Sequence, residues 1–532
     1  MAENATATKT LETALWNAAD VLRSKMDANE YKDYLLGLIF YKYLSDQLLA
    51  EANDLLEETP ADIFEAQTNY ETAYADLDIQ SDLIDGLKDQ LSYILKPDLT
   101  FAALVNKINA SEFQLEDLAQ GFADIERASA DFAGLFEDID LYSRKLGTNL
   151  NKQNQTIADV MKTIAPLDVI STSGDTLGDA YEYLIGQFAS ESGKKAGEFY
   201  TPQPVAHLMM QAVLHGKADQ KGFSVYDPTM GSGSLLLNAK KYSNEPATIN
   251  YFGQELNTST FNLARMNMLL HGVQTGNQFL RNGDTLDGDW PVEEPTNFDA
   301  VLMNPPYSAK WRADAGFLQD PRFSTYGVIA PKSKADYAFL LHGYYHLKDS
   351  GTMAIVLPHG ILFRGAAEGK IRTKLLEMGA IDTVIGLPAN IFYNTSIPTT
   401  IVILKKNRSN KDVFFIDASK EFVKGKNQNT MTDAHLQKIL DTYFAKKDVD
   451  KLAHLASFDE IRENDFNLNI PRYVDTFEAE APIDLAKVGQ DLLDVDAEIA
   501  AVKADLLNQV NELVSADGHD TNLANFKAWL GQ

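Results

Sequence analysis

The sequence predicts an α/β protein in which a mostly parallel sheet carries helices on both faces, flanked by a helical N-terminal domain and a helical tail. Short β-branched runs alternate with helical runs through the middle of the chain, an order typical of such a sheet. Apolar residues recur at helical spacing before this region, and a heptad pattern follows it. Because 532 residues exceed one ordinary core, we divide the chain into residues 1–164, 165–475 and 476–532.

The N-terminal region shows two apolar stripes at spacings of three and four residues. The first consists of Leu11, Leu15, Ala18 and Leu22, and the second of Tyr34, Leu35, Leu38, Ile39 and Tyr43. We interpret both stripes as the core of a helical domain rather than as a cofactor site, since apolar stripes of this kind usually face a core.

The middle of the chain contains six candidate strands and a shorter seventh. They are Ser224–Tyr226, Ile249–Gln254, Ala300–Met303, Met353–Pro358, Thr383–Leu387, Thr400–Lys405 and Val413–Ile416. Helical runs fit between most of them, as expected of a sheet built from strand-helix-strand units.

The tail keeps a strict alternation of three and four residues between apolar positions, with Gln509 as its one interruption. The positions are Leu485, Val488, Leu492, Val495, Ile499, Val502, Leu506 and Leu513. The other faces are rich in Asp, Glu, Lys and Gln, so the pattern predicts a coiled-coil seam.

Composition limits the classes of function. The absence of cysteine excludes disulfides, thiolate metal sites and thiol nucleophiles, and the nine histidines show no metal-ligand spacing. Without a long apolar run or a basic start before an apolar stretch, we expect a cytoplasmic protein that does not span a membrane. The net charge of −29 would repel a polyanion. Either the substrate is not a nucleic acid, or another subunit contributes most of the nucleic-acid binding.

The first chemistry-bearing segment runs from Asp227 through Gly231 and Gly233 to Ser234, directly after a predicted strand. The glycines allow a ligand to approach the backbone closely, and the following helix offers unpaired N–H groups. Neither the dinucleotide pattern GxGxxG nor the phosphate-loop pattern is present. An aspartate before the turn suits a ligand with a positive amino group, while a turn without any ligand is the alternative.

The second segment is Asn304-Pro305-Pro306-Tyr307, which follows another predicted strand. The prolines stiffen the backbone and remove N–H donors. The Asn304 side-chain oxygen and the Pro305 carbonyl could accept the two N–H bonds of a ring amine, and Tyr307 could stack on an extruded base. A proline-stiffened loop without a catalytic role is the alternative.

Together, DPTMGSGS at 227–234, NPPY at 304–307 and GEFYTPQ at 197–203 resemble the adenine-N6 DNA methyltransferases that use S-adenosylmethionine on a Rossmann-like fold. With the helical N-terminal region and the heptad tail, nearly the whole chain resembles the modification subunit of type I restriction-modification systems. The resemblance implies a subunit that methylates adenine in double-stranded DNA beside a specificity subunit. It also implies a second copy of the chain and allows for a restriction subunit.

The resemblance also assigns roles to individual residues. It implies cofactor contacts for Glu198, Phe199, Tyr200, Thr201, Pro202, Gln203, Asp227, Gly231, Ser232, Gly233 and Ser234. It assigns Glu255 to the ribose hydroxyls of the cofactor and Asp284 to its adenine amine, although Asp284 could instead cap the next turn. Met230 departs from the cysteine common in the family. No general base is evident, and the family implies that the proton leaves after methyl transfer.

Four further residues and two segments are weaker candidates for a functional role. His342 and His359 are more often structural than catalytic, and we expect solvation rather than phosphate binding at Arg364 and Lys370. The segments Ala335–Leu340 and Leu357–Leu362 could shape a base pocket, with helix core and turn as equal alternatives.

Two other functions share some of these sequence features. Enzymes that methylate protein glutamine also carry NPPY, but the 197–203 segment, the N-terminal helices and the tail argue against this runner-up. A scaffold that only holds the cofactor would not need the acceptors at Asn304 and Pro305. Since little chain lies between Lys406 and the heptads, we expect the specificity subunit, docked on the C-terminal helices, to recognise the DNA sequence.

Overall fold

The structure is a computed structural model that describes residues 11–167, 175–191, 200–288, 297–393, 396–426, 428–476, 483–513 and 520–531. The chain forms two compact units, Met1–Thr476 and Phe477–Gln532. Within the described ranges, no helix is long and apolar enough to cross a membrane.

The N-terminal region is helical, as predicted. Residues 11–18 are helical and are followed by helices Asp20–Arg23, Ala28–Leu55, Ile63–Ala75, Gln80–Leu91, Phe101–Asn109, Leu115–Ala128 and Leu150–Ile164. Every residue of the first predicted stripe is buried in one core, together with Tyr34, Leu35, Leu38 and Ile39 of the second. Tyr43 is only partly buried against that core. Both stripes therefore serve packing.

In the part of the chain that the structure describes, nine strands form one sheet in the order β3-β2-β1-β4-β5-β7-β6-β8-β9. They are β1 (Ser224–Asp227), β2 (Asn250–Glu255), β3 (Gln278–Asn282), β4 (Phe298–Met303), β5 (Leu347–Pro358), β6 (Ile381–Gly386), β7 (Thr399–Lys405), β8 (Val413–Asp417) and β9 (Ala453–Ala456). Five neighbouring pairs are parallel, whereas β7 is antiparallel to β5 and β6, and β9 to β8. The prediction of a mostly parallel sheet is confirmed.

Strands β3 and β9, which lie at the two edges of the sheet, were not predicted from the sequence. The residues of β3 (QFLRN) are all partly or fully exposed, and β9 has only four residues. Edge strands pack on fewer neighbours, so neither carries the β-branched run that marked the buried strands.

Helices cover both faces of the sheet. They are Gln203–Leu214, Ser234–Tyr242, Thr258–Leu270, Asp336–Tyr345, Ala366–Glu377, Asp433–Ala445 and Phe458–Glu463, whereas helix Asp175–Glu191 packs in the core of the N-terminal helices. One core contains residues of helices Gln203–Leu214, Ser234–Tyr242 and Asp433–Ala445. A second core contains residues of helices Asp336–Tyr345 and Ala366–Glu377. Two cores on one sheet are the arrangement predicted from the alternating runs.

Helix Thr258–Leu270 joins the sheet to the N-terminal helices. Leu263 and Met266 belong to the N-terminal core, whereas Ala264 belongs to a core of the sheet. Arg265 Nη2 donates a hydrogen bond to the carbonyl of Asp131 at 2.6 Å. The N-terminal domain therefore supports the helix that follows the end of β2.

The second unit contains helices Leu485–Asn511 and Asp520–Leu530, which pack on each other. The Lys503 ammonium lies 5.6 Å from the centre of the Trp529 ring. The eight seam residues are 37–78% exposed, and Val510 and Leu530 are the buried apolar residues among those described here. The predicted helix is present, and the described residues of this unit do not bury its apolar seam.

Candidate active site

The site residues come together at one edge of the sheet. Asp227 ends β1, Glu255 ends β2, and Asn304 follows β4 directly. These three strands are parallel neighbours, with β1 between β2 and β4. The carboxyl ends of parallel strands form the edge at which open α/β sheets bind their ligands. The predicted cofactor and catalytic segments thus share one edge.

The turn after β1 requires its glycines. Gly231 and Gly233 have φ of +55° and +81°, a region that favours glycine. The backbone N–H of Met230 donates to the carbonyl of Gln254 at 2.9 Å, which ties the turn to β2. Helix Ser234–Tyr242 begins here, so its first N–H groups lie beside the turn.

Asp227 is fully buried at the start of this turn. Its Oδ1 accepts hydrogen bonds from the Thr229 N–H at 2.9 Å and the Thr229 hydroxyl at 3.2 Å. Its Oδ2 has no hydrogen-bond partner among the described residues. Burial raises the pKa of Asp227 to about 8. A buried carboxyl with an unused oxygen fits a ligand that brings a positive charge.

The Glu255 carboxylate lies next to the same turn. Its Oε2 accepts the Gly231 N–H at 3.1 Å, and its Oε1 accepts the Asn257 N–H at 2.8 Å. Burial raises its pKa, which these backbone hydrogen bonds counteract. A carboxylate can accept about four hydrogen bonds. Glu255 therefore keeps capacity for the two hydroxyls of a ribose.

A hydrogen bond joins the two predicted halves of the site. The buried Asn304 donates from Nδ2 to the Thr201 hydroxyl at 3.2 Å, across 103 positions of sequence. Its Oδ1 accepts the Tyr307 hydroxyl at 2.8 Å. The Tyr307 ring is partly buried and lies edge-on to Phe392, with 6.1 Å between ring centres. Both the nitrogen and the oxygen of the Asn304 side-chain amide are thus hydrogen-bonded.

The segment before helix Gln203–Leu214 is only partly described. Glu198 and Phe199 lie outside the described residues. Tyr200 and Thr201 are buried, and Pro202 occupies the position just before the helix. This part of the predicted cofactor segment therefore lies against Asn304.

Glu182 is a buried polar residue near the site that was not predicted from the sequence. It is buried in helix Asp175–Glu191, and its Oε2 accepts the Gln203 Nε2 at 2.5 Å. Burial raises its pKa to about 7, and the hydrogen bond from Gln203 counteracts that rise. The available signal was an acidic residue on an apolar helix face, because its neighbours Tyr181 and Leu184 are core residues.

Asp284 caps a short helix, which was the alternative to its predicted contact with the cofactor. Its Oδ1 accepts the Leu286 N–H at 2.9 Å and caps the short helix Thr285–Asp287. The Thr285 hydroxyl donates to the Pro228 carbonyl at 2.7 Å. Asp284 therefore belongs to a turn fixed against the glycine turn, and its contact with a cofactor stays a prediction.

The expectation of solvation at Arg364 was wrong. Its Nη1 pairs with the buried carboxylates of Asp336 at 2.9 Å and Glu368 at 3.2 Å. A half-buried arginine needs such partners because burying an unpaired charge is costly. Lys370 is exposed, as expected.

The two weighed histidines make structural contacts. His342 is buried 2.8 Å from the Tyr226 hydroxyl and 3.2 Å from Arg322 Nη1, and its pKa is lowered by burial. His359 Nε2 lies 3.0 Å from the Thr399 carbonyl. The described residues contain no cluster of three or more His, Asp or Glu that could hold a metal ion.

We predict that Asp227→Asn makes stability less dependent on pH. An ordinary aspartate has a pKa of about 3.9 in the unfolded chain, and burial raises that of Asp227 to about 8. Between these values the folded state holds a proton that the unfolded state releases, so stability falls as pH rises through this range. Thermal unfolding at pH 5 to 9 without ligand should show a flatter curve for the variant. Parallel curves would contradict the prediction.

Comparison with known proteins identifies the family. The family described as N-6 DNA Methylase matches residues 172–481. The chain belongs to this family. The HsdM N-terminal domain matches residues 11–164 of the methylase, which are its N-terminal helices.

Two relatives cover nearly all of the methylase. The type I restriction enzyme MpnII methylase subunit of Mycoplasma pneumoniae is 36% identical, with 95% of each chain covered. The crystal structure of a type I restriction-modification methyltransferase subunit from Streptococcus thermophilus is 68% identical. The match covers 88% of the methylase and all of that chain, with a TM-score of 0.87. A modification subunit from Vibrio vulnificus, at 17% identity and TM-score 0.59 over 88% of this chain and 97% of that one, shares the fold.

These findings decide the class of the methylase. It is an adenine-specific N6 DNA methyltransferase of the type I restriction-modification kind. Neither its family nor its relatives support the protein-glutamine alternative.

Proposed function

We propose that this chain transfers a methyl group from S-adenosylmethionine to N6 of an adenine extruded from duplex DNA, as the modification subunit of a type I complex. The hydrogen bond between Asn304 and Thr201 carries this proposal, because it joins the proposed catalytic segment to the proposed cofactor segment. A scaffold that only held a cofactor would gain nothing from this connection.

The residues at the carboxyl ends of the strands fit the cofactor. The unused Oδ2 of Asp227 suits the amino group of its methionine part, and Glu255 suits the ribose. We propose further contacts from Glu198 through Gln203, from Gly231 through Ser234, and from Asp284. Glu182 orients Gln203 through its hydrogen bond. When bound, the cofactor supplies an electrophilic methyl group.

We propose that Asn304 and Pro305 prepare the adenine amine for reaction. Its lone pair is delocalised into the ring, which makes it a poor nucleophile. Two acceptors, Asn304 Oδ1 and the Pro305 carbonyl, hold the N–H bonds and favour a pyramidal nitrogen. The Asn304 oxygen already accepts from Tyr307, and its second lone pair can serve the amine. Pro306 stiffens the segment, and the Tyr307 ring stacks on the base.

We propose that a specificity subunit supplies most of the DNA recognition. A chain with a net charge of −29 is repelled by DNA unless a partner contributes positive charge. The exposed seam of helix Leu485–Asn511 offers the docking surface. Its acidic neighbours, Asp491, Asp494, Asp496, Glu498 and Asp505, would repel a second copy of the seam and favour a helix with more Lys and Arg. We place the complex in the cytoplasm, with a second copy of this chain and, where present, a restriction subunit.

For cofactor binding, we predict that Glu255→Ala weakens the affinity for S-adenosylmethionine by about 1–3 kcal/mol, the cost of one or two hydrogen bonds to a charged group. Titration calorimetry on the chain alone measures this. Glu255→Gln, which keeps one acceptor oxygen, should lose less. Equal affinities for all three proteins would show that Glu255 does not hold the ribose.

Methyl transfer by the reconstituted complex tests the proposed function directly. The chain is combined with its specificity subunit, tritiated S-adenosylmethionine and duplex DNA, and the labelled product is digested to nucleosides. Label in N6-methyladenine is the expected result. Label on protein would favour the glutamine alternative, and cofactor binding without any transfer would favour a scaffold. In the source organism, deletion of the chain should remove a set of adenine methylation marks from the genome.

A further inference from the structure

The segment that follows the NPPY motif is basic, although the chain as a whole is acidic. From Asn304 to Tyr345 there are five basic and three acidic residues, against a net charge of −29 for the whole chain. This segment includes Tyr307, the residue proposed to stack on the base. The segment that follows the proposed base-binding residue therefore carries a local excess of positive charge.

Arginines pair with all three acidic residues of the segment. Arg312 pairs with Asp314 at 2.7 Å, Arg322 with Asp320 at 2.7 Å, and Arg364 with Asp336 at 2.9 Å. The remaining cations are Lys310, Lys332 and Lys334, which form no ion pair within the described part of the chain. The charge of Lys334 lowers the pKa of Glu368, but the ion pair of Glu368 is with Arg364. The excess positive charge therefore resides on the three lysines.

These lysines lie on two adjacent segments. The Ala335 N–H donates to the Ala309 carbonyl at 2.9 Å, and the Trp311 N–H donates to the Lys332 carbonyl at 3.1 Å. The Trp311 indole N–H donates to the Pro331 carbonyl at 3.1 Å. Lys310 and Lys332 are exposed, and Lys334 is half-buried. Backbone pairing thus brings the segments that carry the three lysines together, in a region that begins three residues after Tyr307.

Buried contacts fix the shape of this region. Ser308 and Ala313, at the two ends of one segment, have φ of +54° and +47°, an uncommon conformation for residues other than glycine. The Ser308 N–H donates to Asp336 Oδ1 at 2.7 Å, and Arg364 holds the other oxygen of this fully buried carboxylate. Such strain persists where the surrounding structure enforces it, and it is concentrated at functional sites.

We propose that Lys310, Lys332 and Lys334 form a surface that binds phosphates of the DNA backbone next to the extruded adenine. The proposal rests on the proposed function and adds a place where this chain itself holds the substrate. Phosphate contacts position a protein on the duplex without recognising sequence. Lysine makes such contacts through a single positive charge on a flexible side chain. The specificity subunit then recognises the DNA sequence, while the lysines bind the DNA backbone next to the extruded adenine.

The test removes the three charges together. Complexes of the specificity subunit with wild-type chain or with Lys310→Gln, Lys332→Gln and Lys334→Gln combined are titrated into fluorescent duplex DNA at several salt concentrations. Each lost phosphate contact should lower the slope of log affinity against log salt by about one unit. For three contacts the slope should fall by about two to three units, with on the order of tenfold weaker binding at low salt. The loss should be equal for cognate and unrelated sequences, and cofactor affinity should not change.

The matched control replaces the exposed Lys424, Lys447 and Lys451 by glutamine, which changes the net charge equally. A slope equal to that of wild type, or equal to that of this control, would overturn the proposal. Loss of assembly with the specificity subunit in size-exclusion chromatography would also overturn it and would assign the lysines to a protein interface. If wild-type complex binds DNA without methylating adenine, the proposed function fails, yet the salt slope still tests the lysines.

Discussion

Replacement of Asn304 by alanine is expected to abolish nearly all adenine methylation while cofactor binding is retained. The change removes the side-chain oxygen proposed to accept an N–H of the reacting amine. That hydrogen bond matters most in the transition state, so its loss should lower kcat rather than cofactor affinity. By analogy with other transition-state contacts, we expect a rate loss of at least about a hundredfold. Single-turnover transfer from tritiated cofactor with the reconstituted complex measures it.

Tyr307→Phe is the matched control for this prediction. It removes the hydroxyl that donates to Asn304 but keeps the ring proposed to stack on the base. We expect a rate loss of roughly fivefold or less, the worth of one ordinary hydrogen bond. Transfer at the wild-type rate by the Asn304→Ala complex would contradict the proposed role of the NPPY segment. Equal losses for both variants would place the effect in the folding of the loop rather than in the amine contact.

Deletion of residues 477–532 is expected to abolish DNA methylation by preventing assembly with the specificity subunit. The deleted region is a compact unit by itself, so the remaining unit should keep its fold and its affinity for the cofactor. The deletion removes the apolar seam, whose exposure to water is unfavourable unless a partner helix covers it. Size-exclusion chromatography of the shortened chain with the specificity subunit tests assembly, and calorimetry tests cofactor binding.

Point variants of the tail separate the seam from the helix that carries it. Leu492→Asp and Ile499→Asp together place two charges in the seam and should abolish assembly. Ala497→Asp and Ala504→Asp add the same charge to the same helix at exposed positions opposite the seam, and should assemble normally. Normal assembly by the seam variant or by the deleted chain would assign docking to the N-terminal helices instead.

The interior of the sheet could be predicted from sequence because its strands are buried on both faces. The predicted bounds of β1, β2 and β4 lie within two residues of those observed. These strands hold apolar residues at consecutive positions, Val225-Tyr226, Tyr251-Phe252 and Ala300–Met303, as burial on both faces requires. The edge strand β3 lacked this pattern, since its residues face water in part.

The candidate site could be predicted where its residues directly follow a strand. Asp227, Glu255 and Asn304 each stand at a strand end, so strand order alone brings them to one edge. Glu182 could not be found in this way, because its partner Gln203 is 21 positions distant and lies on another helix. The local cap at Asp284 was a genuine alternative in the sequence, since capping and ligand binding use the same carboxylate oxygens.

The uncovered seam of the tail has a consequence for the amount of active methylase in a cell. Seam residues that are 37–78% exposed would leave a newly made chain open to proteolysis until another helix covers them. Copies made in excess of the proposed docking partner would then be removed, while assembled copies would persist. Modification activity would follow the supply of the scarcer subunit, which keeps the proportions of the complex constant without any dedicated regulator.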